Sequence, residues 1–160
     1  MRPRDPALHI ALVNPEIGPN TGNIGRLALG IGARLHLVHP LGFQITDKQV
    51  RRAGLDYWKH VDLVEHDDVE SFWSWLTGAP SRRFFLLSTR GQTSYTAPTY
   101  RRGDVLVFGK ESKGLPRDLI AQHGALRIPI RGDVRSLNLS NAVAVVAMQA
   151  LQDVSPELFQ

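Results

Sequence analysis

The sequence predicts an α/β fold, with a largely parallel sheet flanked by helices. Short β-branched and aliphatic runs alternate with segments of helical periodicity along the chain. Segments rich in Gly, Asn and Ser follow several of those runs, where ligands bind in open parallel sheets. No low-complexity linker, charge block or internal repeat divides the chain, so residues 1–160 are expected to form one domain.

In chain order, Leu8 to Val13, Leu35 to Val38, Val61 to Val64, Phe84 to Leu87 and Val105 to Phe108 read as buried strands. Leu126 to Ile130 is shorter and carries Pro129, which places it at an edge or at its end. Between them, Asp68 to Leu76 sets Val69, Phe72, Trp73 and Leu76 on one buried helical face. Trp73 is therefore expected in the core, whereas Trp75 falls off that face. Leu139 to Leu151 reads as the last helix, with capping residues at Asn138 and Ser140. Its middle, Val143 to Met148, is apolar on nearly every side, so a partner subunit is its natural cover.

With 42% apolar residues the chain can bury a core and is not a disordered one. There is no cysteine, which excludes disulfides and thiolate metal sites. The start, Met1 to Pro6, leads into a strand-like run and lacks the pattern of a signal peptide. The longest apolar stretch, Ala142 to Met148, is far short of the ~20 residues of a membrane span. The expectation is a soluble, cytoplasmic protein. A net charge of +4 is compatible with a polyanionic partner but weak alone. The pairs Arg51-Arg52, Arg82-Arg83 and Arg101-Arg102, with Lys110, Lys113, Arg131 and Arg135, tip the balance toward a phosphate-tracking surface.

Three segments are candidates for chemistry. They are Pro19-Asn20-Thr21-Gly22-Asn23-Ile24-Gly25-Arg26, then Phe108-Gly109-Lys110-Glu111-Ser112-Lys113-Gly114-Leu115-Pro116, then Ile128-Pro129-Ile130 continuing through Arg135-Ser136-Leu137-Asn138-Leu139-Ser140-Asn141. All three are expected in loops after strands. Gly109 and Gly114 have the spacing of a phosphate-binding loop, but Leu115-Pro116 replaces the required Lys-Ser/Thr. Gly30-Ile31-Gly32 precedes a strand and lacks the third glycine of a dinucleotide fingerprint. A metal site is poorly supported. His36 and His39 point to opposite faces of a strand, and the other histidines are scattered singly.

Taken together and in order, these segments resemble the three motifs of the SpoU branch of the SPOUT methyltransferases. Leu41-Gly42-Phe43 and Arg52-Ala53-Gly54-Leu55-Asp56-Tyr57 extend the similarity over nearly the whole chain. It is nearest the small members that methylate the 2′-oxygen of the tRNA wobble nucleotide. The resemblance implies a deep C-terminal trefoil knot, an obligate homodimer, S-adenosyl-L-methionine as cofactor and tRNA as substrate, with the target cytidine or uridine at position 34. Another tRNA or rRNA ribose is the alternative target, and an RNA-binding protein without catalysis is the rival from a different class.

By the same resemblance, the cofactor pocket is made by Leu87, Thr89, Gly109, Glu111, Ile128, Ser136 and Leu137. Arg26 is placed at the ribose hydroxyl, with Asn20, Glu111 and Asn138 nearby. A guanidinium stays protonated in proteins and makes an awkward general base, so Arg26 is expected to clamp a phosphate and stabilise a developing alkoxide. The plainer reading is a structural Arg26–Glu111 pair. For Gly109 the plainer reading is a left-handed turn. Lys110, Lys113 and Met148 depart from the proline, arginine and tyrosine usual in that group.

Overall fold

The computed structural model describes residues 5–45 and 55–160. The Arg51-Arg52 pair and the first part of the Arg52 to Tyr57 motif lie outside the described residues. A seven-stranded sheet runs through the molecule in the order β3-β2-β1-β6-β4-β7-β5. Its strands are β1 (Leu8–Val13), β2 (Ala33–Val38), β3 (Leu63–His66), β4 (Phe84–Leu87), β5 (Thr93–Ser94), β6 (Val105–Phe108) and β7 (Leu126–Arg127). Every neighbouring pair is parallel. The helices are α1 (Gly18–Ile31), α2 (Val69–Thr77), α3 (Arg117–His123) and α4 (Leu139–Val154).

Alternation along the strands divides the core in two. Leu8, Ile10 and Leu12 of β1, with Leu35, Leu37, Leu106 and Phe108, pack under Ile24 and Ala28 of α1 and Val143, Val146, Ala147 and Ala150 of α4. Ala11, Val13, Val38, Val105 and Val107 face the other way, onto Phe72 and Leu76 of α2 and Leu119 and Ile120 of α3.

β1, β4 and β6 occupy the expected runs. β3 lies two residues later, because Val61 closes a turn onto the Trp58 carbonyl at 3.1 Å before pairing begins. β7 stops at Arg127, short of Pro129, and sits between β4 and β5, so the proline marks the strand's end and not an edge. The first motif is not a loop, as expected, but the first half of α1. Pro19 fits the first helical turn, and Gly32, at φ +72°, ends the helix in the left-handed region. Gly25 has a packing reason, since a Cβ there would stand 2.4 Å from the Trp58 ring.

The path of the C-terminal half is unusual. β4 and β6 are paired and joined by residues 88–104, and β7, arriving later in the chain, pairs with β4 and with β5 of that connection. Asp153 near the end of α4 accepts a hydrogen bond from the Tyr100 amide in the same connection at 2.9 Å, tying the helix to it. On α4, Val145 and Met148 remain 37% and 40% exposed, so this chain covers only part of the apolar helix. Among the described residues, no helix is long and apolar enough to cross a membrane.

Candidate functional site

The carboxyl ends of β1, β4, β6 and β7 open onto one cavity of about 1110 Å³. This is where the chain reverses its direction of travel across the sheet, and ligands of parallel sheets bind at such points. Of the residues expected from sequence, Asn20, Leu87, Thr89, Gly109, Glu111, Ile128, Ser136, Leu137 and Asn138 all line it. The three separated motifs therefore converge.

A directed chain of hydrogen bonds joins them. Asn138 caps α4, its Oδ1 accepting from the Ser140 amide at 2.9 Å and the Ser140 hydroxyl at 2.6 Å. That fixes its Nδ2 as a donor to Asn20 Oδ1 at 3.1 Å, and Asn20 Nδ2 donates in turn to Glu111 Oε2 at 3.3 Å. Glu111 also accepts from the amides of Glu16 and Ile17, each at 2.8 Å. Its carboxylate is thus committed to this chain's own donors. Glu16, which sequence reasoning missed, and Ser112 of the second motif complete the arrangement, with Glu16 Oε1 accepting from the Ser112 amide and hydroxyl at 2.9 and 2.7 Å.

Gly109 owes its identity to close approach. Its φ is not in the left-handed region, which Gly114 occupies at +67°, and a Cβ on Gly109 would lie 2.1 Å from the Gly114 carbonyl carbon. The left-handed reading of Gly109 is therefore corrected.

Arg26 is the exception among the expected residues. It is six positions beyond Asn20 on α1, which turns it about 120° away around the helix. It is exposed, with its guanidinium 5.9 Å from the Tyr57 ring centroid, and it does not line the cavity. The structural Arg26–Glu111 pair is also absent, since Glu111 is held by backbone amides and Asn20.

The cavity walls combine apolar Leu87, Leu115, Ile128 and Leu137 with the backbone of three tight loops. Arg90, Lys110, Lys113, Arg117 and Arg135 also line it, so its mouth is strongly cationic. Apolar walls with polar edges suit a nucleoside carrying a thioether arm, and the volume leaves room for more. Away from this site, His9, His36 and His66 are not scattered. His9 Nδ1 meets His36 Nε2 at 2.8 Å, and His36 Nδ1 meets His66 Nε2 at 2.9 Å, beneath Trp75. That contact gives Trp75, left off the helix face by periodicity, its place. Among the described residues, no group of three or more His, Asp or Glu is arranged to hold a metal ion.

A parallel sheet with a three-loop cavity at its strand ends is the architecture of the SPOUT RNA methyltransferases. The chain belongs to the SpoU rRNA Methylase family, whose model matches residues 7–148. It is 47% identical to the tRNA (cytidine(34)-2′-O)-methyltransferase of Photorhabdus asymbiotica, over 89% of this chain and 91% of that one. It is 45% identical to the protein of the same name from Escherichia coli K12, again over 89% and 91%. A solved structure concerned with 2′-OH methylation of C/U34 on tRNA superposes with a TM-score of 0.86 at 46% identity, over 91% of this chain and 95% of that one. An AdoMet-bound rRNA methyltransferase from Sinorhizobium meliloti gives a TM-score of 0.81 at 27% identity, over 94% of this chain and 57% of that one.

Proposed function

We propose that the protein transfers a methyl group from S-adenosylmethionine to the ribose 2′-oxygen of cytidine or uridine at position 34 of tRNA, as a cytoplasmic homodimer. The observation that carries this reading is the convergence of the three motifs on one cavity with a cationic mouth. The named relatives at 45–47% identity support the target.

When bound, S-adenosylmethionine supplies an activated methyl on a sulfonium centre. The protein's residues supply position. Leu87, Ile128 and Leu137 offer apolar surface that excludes water, and the loops around Thr89, Gly109 and Ser136 bring backbone groups close to the ligand's polar edges. Lys110, Lys113 and Arg135 at the mouth draw in RNA phosphates. Arg26 orients the acceptor nucleotide and stabilises negative charge on its oxygen.

Because Arg26 points away from the cavity of its own chain, it serves the partner's. It shares an exposed stripe of α1 with Leu29, 40% exposed, and α1 packs on α4, whose Val145 and Met148 are also bare. A symmetric contact through these two helices covers the apolar surface and carries Arg26 across.

Arg26→Ala is expected to keep the affinity for S-adenosylhomocysteine within about twofold and lower turnover by roughly a hundredfold or more. Mixed dimers pairing an Arg26→Ala copy with a Gly109→Val copy are expected to regain activity, because one intact pocket then meets one intact arginine. Unchanged turnover in the single variant removes Arg26 from the mechanism, and inactive mixed dimers return it to its own chain. The reaction is tested by incubating total tRNA with methyl-labelled cofactor and mapping the label. It is expected on the 2′-oxygen of nucleotide 34. Label on a base nitrogen or carbon rejects the assignment.

A further inference from the structure

Helix α1 begins without a local cap. Its N-cap, Ile17, has no side chain able to accept, and no acidic residue stands in its first turn. The carboxylate comes instead from Glu111, 94 residues away, whose Oε2 takes the Ile17 amide while Oε1 takes the Glu16 amide. The favour is returned by Glu16, which holds the Ser112 amide and hydroxyl on one oxygen. Each carboxylate thus grips the backbone beside the other. Between them stands the tight turn closed by the Gly114 amide on the Lys110 carbonyl at 2.8 Å. Gly42 seals the far side, its amide donating to the Pro15 carbonyl at 2.9 Å. A Cβ at Gly42 would come within 2.6 Å of the Glu16 carbonyl oxygen.

We propose that Glu16 and Glu111 form a reciprocal latch that sets the position of the Gly109–Gly114 turn against α1, and that Glu16 is a positioning residue for the cofactor pocket. The inference rests on the proposed methyltransferase reading and adds to it a residue outside the three motifs. Lys110 and Lys113 lie close enough to hold the Glu16 carboxyl below its usual range, after the larger effect of the Ser112 hydrogen bonds. The Glu16 carboxylate therefore stays ionised through the neutral range.

The geometry makes the two glutamates unequal under the same substitution. Glu16 uses one oxygen for both donors, so Glu16→Gln keeps an acceptor there. Glu111 uses both oxygens against amide donors, so Glu111→Gln must set an NH2 group against an N–H. Calorimetric titration with S-adenosylhomocysteine, alongside thermal melts, tests this. Relative to the unaltered protein, Glu16→Gln is expected within about twofold, Glu16→Ala about five- to tenfold weaker, and Glu111→Gln at least about tenfold weaker. Ser112→Ala, which removes one donor and leaves the carboxylate, is expected to be about two- to threefold weaker. With Glu16→Ala, the KM for the cofactor rises while kcat at saturation stays within about twofold.

If the unaltered protein binds no S-adenosylhomocysteine, the methyltransferase reading falls and the latch with it. If it binds and Glu16→Ala binds equally well, the latch alone is wrong. Equal losses in Glu16→Gln and Glu16→Ala also overturn it, because charge and not acceptor geometry would then be at work. A Glu111→Gln protein with normal binding and lost turnover would make Glu111 a proton-transfer group instead.

Discussion

Gly109→Ala is expected to abolish measurable binding of S-adenosylhomocysteine, and Gly109→Val to lower the melting temperature as well. A methyl group at this position would lie 2.1 Å from the carbonyl carbon of Gly114, 2.3 Å from the Leu115 nitrogen and 2.6 Å from the Gly114 Cα. All three are backbone atoms, so no side chain can rotate away. Leu115 is anchored in the core at 3% exposure, and Ser112 is tied to Glu16, so the turn can yield only by giving up one of these attachments. Overpacking of this kind costs about 1–3 kcal/mol before any loss of ligand contacts. Gly114→Ala is the informative comparison. A Cβ there meets open space, and the cost is the left-handed backbone alone, about 1–2 kcal/mol, with binding retained. A folded Gly109→Ala protein with normal affinity would separate this turn from the pocket.

The second large effect is acid sensitivity above the carboxylate range. The hydrogen-bonded chain of His9, His36 and His66 is satisfied by neutral rings, with one N–H shared across each contact, and burial favours that form. Burial, then the charges of His9 and His66, pushes His36 down to about 2. Burial, with Arg34 and Arg82 nearby, pushes His9 down to about 4 against the opposing influence of Asp62 and Asp5. Burial lowers His66 too, against Asp67. In the unfolded chain these histidines titrate near 6.5. Below that pH the unfolded state binds more protons, so the stabilisation present above pH 6.5 drains away as pH falls toward each folded value. Between pH 6 and 4 His36 contributes a slope of up to roughly 1.4 kcal/mol per pH unit, His9 adds to it until its own folded value near 4 is approached, and His66 acts in the same direction. Urea denaturation across this range is expected to show it. His36→Leu is expected to be less stable at pH 8, because His9 and His66 lose partners, yet flatter in its pH profile. An unchanged slope in that variant would refute the neutral-chain account.

Much of the fold is legible because strands buried on both faces leave aliphatic runs that nothing else explains, and β1, β4 and β6 fall on those runs. Helix α1 is not, since Pro19, Asn20, Gly22 and Gly25 are poor helix formers. Packing of Ile24 and Ala28 on the sheet, with Gly25 against Trp58, overrides their propensity. The edge strand β5 has two residues and no pattern of its own. Asn20, Glu111 and Asn138 are visible through motif resemblance, and the structure bonds them together. Glu16 and the histidine chain are invisible in a linear reading. One depends on contacts 94 to 96 residues apart, and the other on the parallel register that brings Ala11 level with His36 and Val38 level with His66.

Whether the cavity at the strand ends holds the cofactor is settled most directly by a crystal structure of the protein with S-adenosylhomocysteine. Its electron density is expected between Leu87, Gly109, Ile128 and Leu137, with Arg26 of a second copy facing the homocysteine end. Density at any other surface, or a cavity left empty at saturating ligand, would contradict the account.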